Sequence, residues 1–196
     1  MLQEIGFLDG GDIISVDGIN FNAEDNHAKY GRALRGHEAI VLQITIAGVS
    51  YAVMAAMSES GFIAWTIYNG SVCGVHVAEF LREKVIPRMT GRQVVLLDNA
   101  RNQSTAEVRG VLEHQLGGNY RYNVEYAPEL NPIERGFSMI RSWIRAHEHD
   151  YPNNPMGLIN DAFVIHATDG VLGYKCYHFF DLYRRSHVDW LDAYTA

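Results

Sequence analysis

Cysteine, proline and long apolar stretches are all scarce in this sequence. Its 196 residues include only two cysteines and five prolines. Two cysteines cannot form a disulfide framework, which favours a reducing compartment. No run of about 18 apolar residues occurs, which argues against a membrane-spanning helix, and the first residues lack the basic and apolar pattern of a secretory leader. These absences predict an intracellular protein without a membrane partner.

An excess of basic residues is also missing, although charge is unevenly distributed. The 16 Lys and Arg residues stand against 23 Asp and Glu residues, which argues against a protein that coats nucleic acid. Residues 82–145, however, hold ten basic and seven acidic side chains, whereas 1–81 hold three and nine. Thirteen of the sixteen basic residues are Arg, which suits bidentate contact with phosphate. A phosphate-contacting surface and an ordinary solvated surface both fit this pattern.

Strand signals dominate the first part of the chain. Apolar runs bounded by turn residues predict six strands, at 12–17, 39–47, 51–57, 62–68, 94–97 and 120–126. The run at 94–97 does not alternate, which is typical of a strand covered on both faces. The runs at 12–17 and 94–97 end at, or are followed by, the carboxylates Asp17 and Asp98, so we expect both carboxylates at strand ends.

Helical periodicity follows and alternates with the later strands. Four helices are predicted: around 77–85, stopping near Pro87; after a capping box of Ser104 and Glu107; from Asn131 onward; and around 158–167. Strands first and interleaved helices later predict one α/β domain over 1–196, with a mixed central sheet of about five strands flanked by helices.

Three carboxylates stand out by position, namely Asp17, Asp98 and Glu134. In open α/β sheets, sites gather at the carboxyl ends of strands, and the helix that begins near Asn131 can bring Glu134 over that edge. Close carboxylates repel one another, and divalent cations with a preference for oxygen ligands, Mg²⁺ or Mn²⁺, relieve that repulsion. Two such ions can activate both oxygens of a phosphoryl transfer.

Ordinary structural roles explain the same residues without any chemistry. An Asp at a strand end is often a turn former, and Glu134 fits the N3 position of a helix cap begun by Asn131. Spacing alone leaves both interpretations open.

Two motifs carry a resemblance to a known family. The segments Leu97–Ala100 (Leu-Asp-Asn-Ala) and Tyr126–Glu134 (Tyr-Ala-Pro-Glu-Leu-Asn-Pro-Ile-Glu) resemble the DDE transposases of the mariner superfamily. Asp98 and Glu134 are separated by 35 residues, close to the spacing typical of the family, and Asp17 looks like its first catalytic Asp. The resemblance covers about residues 12–178 and implies a ribonuclease H-like catalytic core.

The resemblance also implies roles for individual residues. Asp17 would bridge two Mg²⁺ or Mn²⁺ ions, with Asp98 holding one and Glu134 the other, for cleavage and strand transfer of DNA. Partners would be transposon ends, target DNA and further copies of the chain. Arg135, Arg141 and Arg145 share the helix of Glu134 and are the candidates for contact with DNA phosphates. From their position alone, Asn99 and Gln103 either orient the neighbouring Asp98 or make ordinary loop hydrogen bonds, and Asn131 is the third supporting candidate.

The chain departs from the family pattern at specific places. Gly18 stands where the family usually has Glu, and Gln103 stands where it usually has His. Members also carry an N-terminal helix-turn-helix region, and this chain begins about ten residues ahead of the first catalytic strand, so we expect that region to be absent. A truncated or domesticated core that binds DNA or protein without catalysis is therefore the second hypothesis. The protein would lie in the nucleus of a eukaryote, and otherwise in the cytoplasm or nucleoid.

Other possible sites are weaker. The run His147–Asp150 has the composition of a metal cluster, but histidines two residues apart do not share a helix face, so a solvated helix end is expected. Cys73 is expected to be a buried thiol. Paired carboxylates and many aromatics also fit a glycoside hydrolase, which ranks third.

Overall fold

The computed structural model of the chain describes residues 10–21, 50–123 and 131–167. Within these residues, five strands form one sheet in the order β3-β2-β1-β4-β5. The strands are β1 (Ile13–Phe21), β2 (Tyr51–Ser58), β3 (Gly61–Asn69), β4 (Val94–Leu97) and β5 (Tyr120–Tyr122). β1, β2 and β3 run antiparallel as a meander, whereas β4 lies parallel to β1 and β5 parallel to β4. The predicted mixed sheet is confirmed; the predicted strand at 39–47, and 124–126 of the strand at 120–126, lie outside the described residues.

Four helices flank this sheet in the described part of the chain. They are α1 (Gly74–Phe80), α2 (Ala106–Leu116), α3 (Pro132–His147) and α4 (Pro155–Ile165). α1 continues through a π-helical turn at Leu81–Val85 into a 3₁₀ turn at Ile86–Arg88. Pro87 ends this segment as predicted, because proline lacks the N–H that a continuing helix needs. Gly117 ends α2 in the left-handed conformation, with φ 56°, as its place after the last apolar residue predicted.

Alternation along the strands divides the core into two layers. In β1, Ile13 and Ile19 pack with residues of α3 and α4, whereas Ile14 and Val16 pack with residues of α1 and α2. Successive side chains of a strand point to opposite faces. Asp17 therefore lies on the face covered by α3 and α4.

Close packing of α3 on the sheet depends on one glycine. A Cβ atom built on Gly136 would lie 2.6 Å from Sδ of Met57 and 2.9 Å from Cζ of Phe62. Any side chain there would push the helix away from β2 and β3. Gly136 thus sets how near the first turn of α3 comes to the sheet.

Two sequence predictions at element ends are wrong. β1 does not end at Asp17 but continues to Phe21, because Gly18 to Phe21 pair with Met54 to Tyr51 of β2. The N-cap of α2 is Thr105, not Ser104: Oγ1 of Thr105 accepts a hydrogen bond from the amide of Val108, at 3.5 Å. The Ser104 hydroxyl instead bonds to the carbonyls of Ala100 and Arg101.

The remaining isolated predictions have mixed outcomes. Cys73 is exposed at the start of α1, so the predicted buried thiol is wrong; as N-cap it lies outside the helix and outside the core. His147 stacks on Trp143 at 4.1 Å next to an exposed His149, consistent with a helix end. Among the described helices, none is long and apolar enough to cross a membrane.

Candidate active site

Asp17 and Asp98 come together because of the parallel pairing of β1 and β4. The last paired residues of these strands are Val16 and Leu97, and each Asp follows directly. Neighbouring strands lie about 4.8 Å apart, so the two backbones are adjacent at this level. The prediction that the two carboxylates meet at one sheet edge assumed that both strands end at these residues. The structure achieves the same proximity where β4 ends beside the middle of β1.

Glu134 approaches the same place from the first turn of α3. Asp17, Asp98 and Glu134 line one cavity of about 340 Å³, together with polar residues that include Asn20, Ser71, Asn102 and Gln103. Asp17 is buried at 8% exposure, and Asp98 and Glu134 are half-buried. Three acidic side chains from distant parts of the chain therefore face one open space.

The Asp17 carboxylate accepts hydrogen bonds on both oxygens. Oδ1 accepts from the amide of Gly18, at 2.7 Å, and from Nε2 of Gln103, at 2.9 Å. Oδ2 accepts from Nδ2 of Asn131, at 2.9 Å. These donors partly compensate for the cost of burying a carboxylate.

These hydrogen bonds do not fully compensate for the burial of Asp17, because its pKa remains raised. The pKa of Asp17 is raised to about 7. Burial is the largest cause and the nearby Asp98 and Glu134 carboxylates add to it, whereas the Gly18 and Gln103 hydrogen bonds lower the pKa. The pKa of Glu134 is also raised, mainly by burial. The Arg141 guanidinium acts to lower this pKa, and the Asp98 carboxylate acts to raise it. A positive charge placed among these groups would favour their ionised forms.

The supporting residues make contacts that sequence reasoning only partly foresaw. The Asn131 side chain makes no capping hydrogen bond to α3. It donates to Asp17 instead, so the expectation of an ordinary helix cap is wrong for this side chain. Gln103 contacts both acids: Oε1 accepts from the backbone amide of Asp98, at 2.9 Å. Asn99 donates its side-chain amide to the carbonyl of Asn123, and its backbone amide donates to Oδ1 of Asp98.

Ser15 was missed by the sequence analysis. Its hydroxyl donates to Oδ1 of Asn131, at 2.6 Å, in a fully buried position. A serine two residues before Asp17 in a strand shares its face, and a polar residue within an otherwise apolar run was the available signal.

The three candidate arginines lie at different angles around α3. All three are exposed. At roughly 100° per residue, Arg141 and Arg145 share the face of Glu134, whereas Arg135 is turned by about 100° from it. Arg141 is also close enough to lower the pKa of Glu134. The structure therefore places two of the three predicted arginines in line with the acidic cavity.

The donor set of the cavity fits a hard divalent cation. Its ionisable groups offer only carboxylate oxygens, which Mg²⁺ and Mn²⁺ prefer. The pKa of Asp17 is raised mainly by burial and also by the two neighbouring carboxylates. As they stand in the described part of the chain, no three Asp, Glu, His or Cys side chains are close enough to form a complete metal cluster.

The strand order, with a three-stranded meander continued by two parallel strands, defines a ribonuclease H-like fold. The sequence profile described as DDE superfamily endonuclease matches residues 12–154, and the chain belongs to this family. A search of the curated proteins gives no match.

Solved structures of Mos1 transposase share the fold. The structure of the Mos1 transposase catalytic domain and Raltegravir with Mg matches with a TM-score of 0.63 at 15% identity, over 96% of this chain and 88% of that one. The pre-cleavage Mos1 transpososome matches with a TM-score of 0.65 at 14% identity, over 96% of this chain and 58% of that one. The Mos1 strand transfer complex matches with a TM-score of 0.63 at 16% identity, over 91% of this chain and 54% of that one. The chain thus spans just over half the length of the transposase chains in the two complexes.

Proposed function

We propose that this chain is the catalytic core of a metal-dependent DNA endonuclease and strand transferase, acting in DNA transposition and recombination. The observation that carries the proposal is the shared cavity of Asp17, Asp98 and Glu134 in a chain of the DDE endonuclease family. Its substrates would be transposon ends and target DNA.

The three carboxylates would hold two Mg²⁺ or Mn²⁺ ions, with Asp17 as the shared ligand. Bound there, the ions would supply the Lewis acidity that in-line phosphodiester hydrolysis and transesterification require. The solved Mos1 catalytic domain with Mg supports the choice of metal. Asp17 would be the innermost of these ligands, because it is the most deeply buried of the three carboxylates and is held by hydrogen bonds on both oxygens.

The arginines of α3 would bind the DNA backbone beside the cavity. Arg141 and Arg145 share the face of Glu134, and arginine matches phosphate in a bidentate manner. Arg135, turned to the side, would contact a neighbouring phosphate. Together they would offset the repulsion between an acidic protein and a polyanion.

The decisive experiment is a nicking assay on supercoiled plasmid with Mg²⁺ or Mn²⁺. We expect cleavage by the unmodified chain, loss of cleavage with EDTA and loss in Asp98→Ala. Glu113→Gln removes an exposed acid on α2 and should cleave normally. Equal cleavage by the unmodified chain and Asp98→Ala would reject the assignment.

A second candidate is a domesticated core that binds DNA or protein without cutting it. The observations in its favour are that Gly18 and Gln103 stand where the family usually has Glu and His, and that acidic residues outnumber basic ones. This candidate predicts DNA binding in a gel-shift assay without any nicking at millimolar Mn²⁺. Tight Mn²⁺ binding together with nicking would eliminate it.

Self-association is part of the leading proposal. A transposase core would act on two DNA ends as a homo-oligomer, and the transpososome structures of Mos1 support this expectation. Light scattering after size exclusion, with and without end-sequence DNA, tests it directly: a monomer in both conditions would contradict it.

A further inference from the structure

The Asp17 carboxylate lies between two side-chain amides, those of Gln103 and Asn131, which we name the amide clamp. Gln103 donates to Oδ1 from one side, and Asn131 donates to Oδ2 from the other. The two amides come from unrelated elements, the 3₁₀ turn Arg101–Gln103 after β4 and the residue before α3. Both side chains are buried, at 1% and 4% exposure.

The orientation of Gln103 is fixed by a backbone group. An amide side chain has one accepting oxygen and one donating nitrogen, and Oε1 of Gln103 faces the backbone N–H of Asp98, at 2.9 Å. Because a backbone N–H can only donate, Oε1 must be the atom that faces it, and Nε2 is left to face Asp17. Gln103 therefore links the backbone at one acid to the carboxylate of the other.

Asn131 is oriented in a corresponding way by Ser15. The Ser15 hydroxyl donates to Oδ1 of Asn131, which turns Nδ2 toward Asp17. Both members of the clamp thus present donors to Asp17, one to each of its carboxylate oxygens.

We infer that Gln103 and Asn131 are positioning residues that fix the orientation of the Asp17 carboxylate, and that Gln103 sets the spacing of Asp17 from Asp98. The inference rests on the proposed function, because it concerns how these acids hold a divalent cation. Gln103 stands where the family usually has His. A neutral amide provides one donor and one acceptor at every pH, whereas imidazole provides that pair only when it is neutral.

The chain contains a matched control in Gln93. This glutamine accepts from the backbone amide of Thr90, at 2.8 Å, and donates to the carbonyl of Gly11, at 3.1 Å. It therefore joins the segments before β1 and β4, whereas Gln103 joins Asp17 in the middle of β1 to Asp98 directly after β4. Loss of its hydrogen bonds should reduce stability without touching the acids.

The test is Mn²⁺ binding by isothermal titration calorimetry on the full chain, with thermal unfolding in EDTA measured in parallel. Gln103→Met keeps the length of the side chain and removes both hydrogen bonds. We expect it to weaken Mn²⁺ binding by about tenfold or more, the usual effect of losing a partner of a metal ligand. Gln103→His should bind within about threefold of the unmodified chain, and Gln93→Met should bind with unchanged affinity even if its midpoint falls.

Ser15→Ala provides a second route if Gln103→Met does not fold. It leaves both amides in place but frees Asn131 to turn, and should weaken Mn²⁺ binding several-fold. The inference is overturned if a folded Gln103→Met binds Mn²⁺ within about twofold of the unmodified chain. If Gln103→Met does not fold, the same result in Ser15→Ala overturns it. If Asp98-dependent nicking persists in that case, the proposed function stands and only the clamp fails. No Mn²⁺ binding by the unmodified chain would instead remove the metal-dependent function and the clamp with it.

Discussion

The Nδ2 amide of Asn131 donates a hydrogen bond of 2.9 Å to Oδ2 of Asp17, which joins the start of α3 to the middle of β1 across 114 positions of sequence. The contact determines where α3 begins relative to the sheet. Glu134, three residues further on, therefore enters the cavity that Asp17 and Asp98 line. A side chain that would ordinarily cap a helix instead helps to assemble the acidic site.

The stability of the metal-free protein should fall as pH rises from about 4 to about 7. The pKa of Asp17 is about 7 in the folded chain and about 3.9 in an unfolded one. Between these values the folded state keeps a proton that the unfolded state has released, so raising the pH favours unfolding. Urea denaturation in EDTA at pH 5 and pH 8 measures the difference, whose upper limit over that interval is about 2.7 kcal/mol.

Asp17→Asn should abolish this part of the pH dependence, because the amide does not titrate. Asp150→Asn, which changes an exposed acid, should keep it. The same slope in the unmodified chain and in Asp17→Asn would show that Asp17 does not carry a raised pKa.

Divalent cations should stabilise the folded chain through the same acids. A ligand at about 100 times its Kd stabilises the state that binds it by about 2.7 kcal/mol, which corresponds to a midpoint about 5–10 °C higher for a chain of this size. Differential scanning fluorimetry with Mn²⁺ against EDTA measures the shift. The shift should vanish in Asp98→Ala and persist in Glu113→Gln; a full shift in Asp98→Ala would place the binding elsewhere.

Alanine at Gly136 and at Gly110 should have opposite effects. Gly136→Ala brings a Cβ against Met57 and Phe62 at less than 3 Å and should cost about 1–3 kcal/mol. Gly110 lies in α2 with nothing within 4 Å of an added Cβ, so Gly110→Ala should gain up to about 1 kcal/mol from helix propensity. Chemical denaturation measures both, and a stabilising Gly136→Ala would contradict the close approach of α3 to the sheet.

Arg141→Gln and Arg145→Gln should weaken DNA binding more than Arg135→Gln. The first two share the face of Glu134, so their guanidinium groups would neutralise phosphates next to the cavity. Each lost phosphate contact should reduce the slope of log K against log salt by about 0.9. Fluorescence anisotropy over a salt series measures this slope.

Arg92→Gln is the control for these arginine substitutions. Arg92 is exposed ahead of β4, at the end of that strand away from Asp98. The slope of log K against log salt for Arg92→Gln should therefore stay close to that of the unmodified chain. Equal slopes for all four variants would exclude α3 as the DNA-binding face.

Much of the fold followed from local pattern. The buried run of β4 and the amphipathic face of α3 are properties of short segments, because burial on both faces and helical periodicity each leave a direct mark on residue order. The order Leu-Asp-Asn-Ala and Asn-Pro-Ile-Glu also selected Asp98 and Glu134 before any coordinates. Thr105 was missed as the N-cap of α2 because Ser104 and Thr105 are both good caps, and only backbone geometry chooses between them.

The sequence by itself determined which acids are candidates, since strand hydrophobicity and motif spacing are local properties of the chain. Only the tertiary structure decided that Asp17 lies within a strand rather than at its end, because the pairing of Gly18 to Phe21 with β2 is a long-range interaction. Tertiary contacts likewise decided that Asn131 and Gln103 both turn toward Asp17, while Arg135 turns aside. Hydrogen-bond partners more than 80 positions apart leave no periodic trace in a sequence, so the environment of an acid appears only when the chain has folded around it.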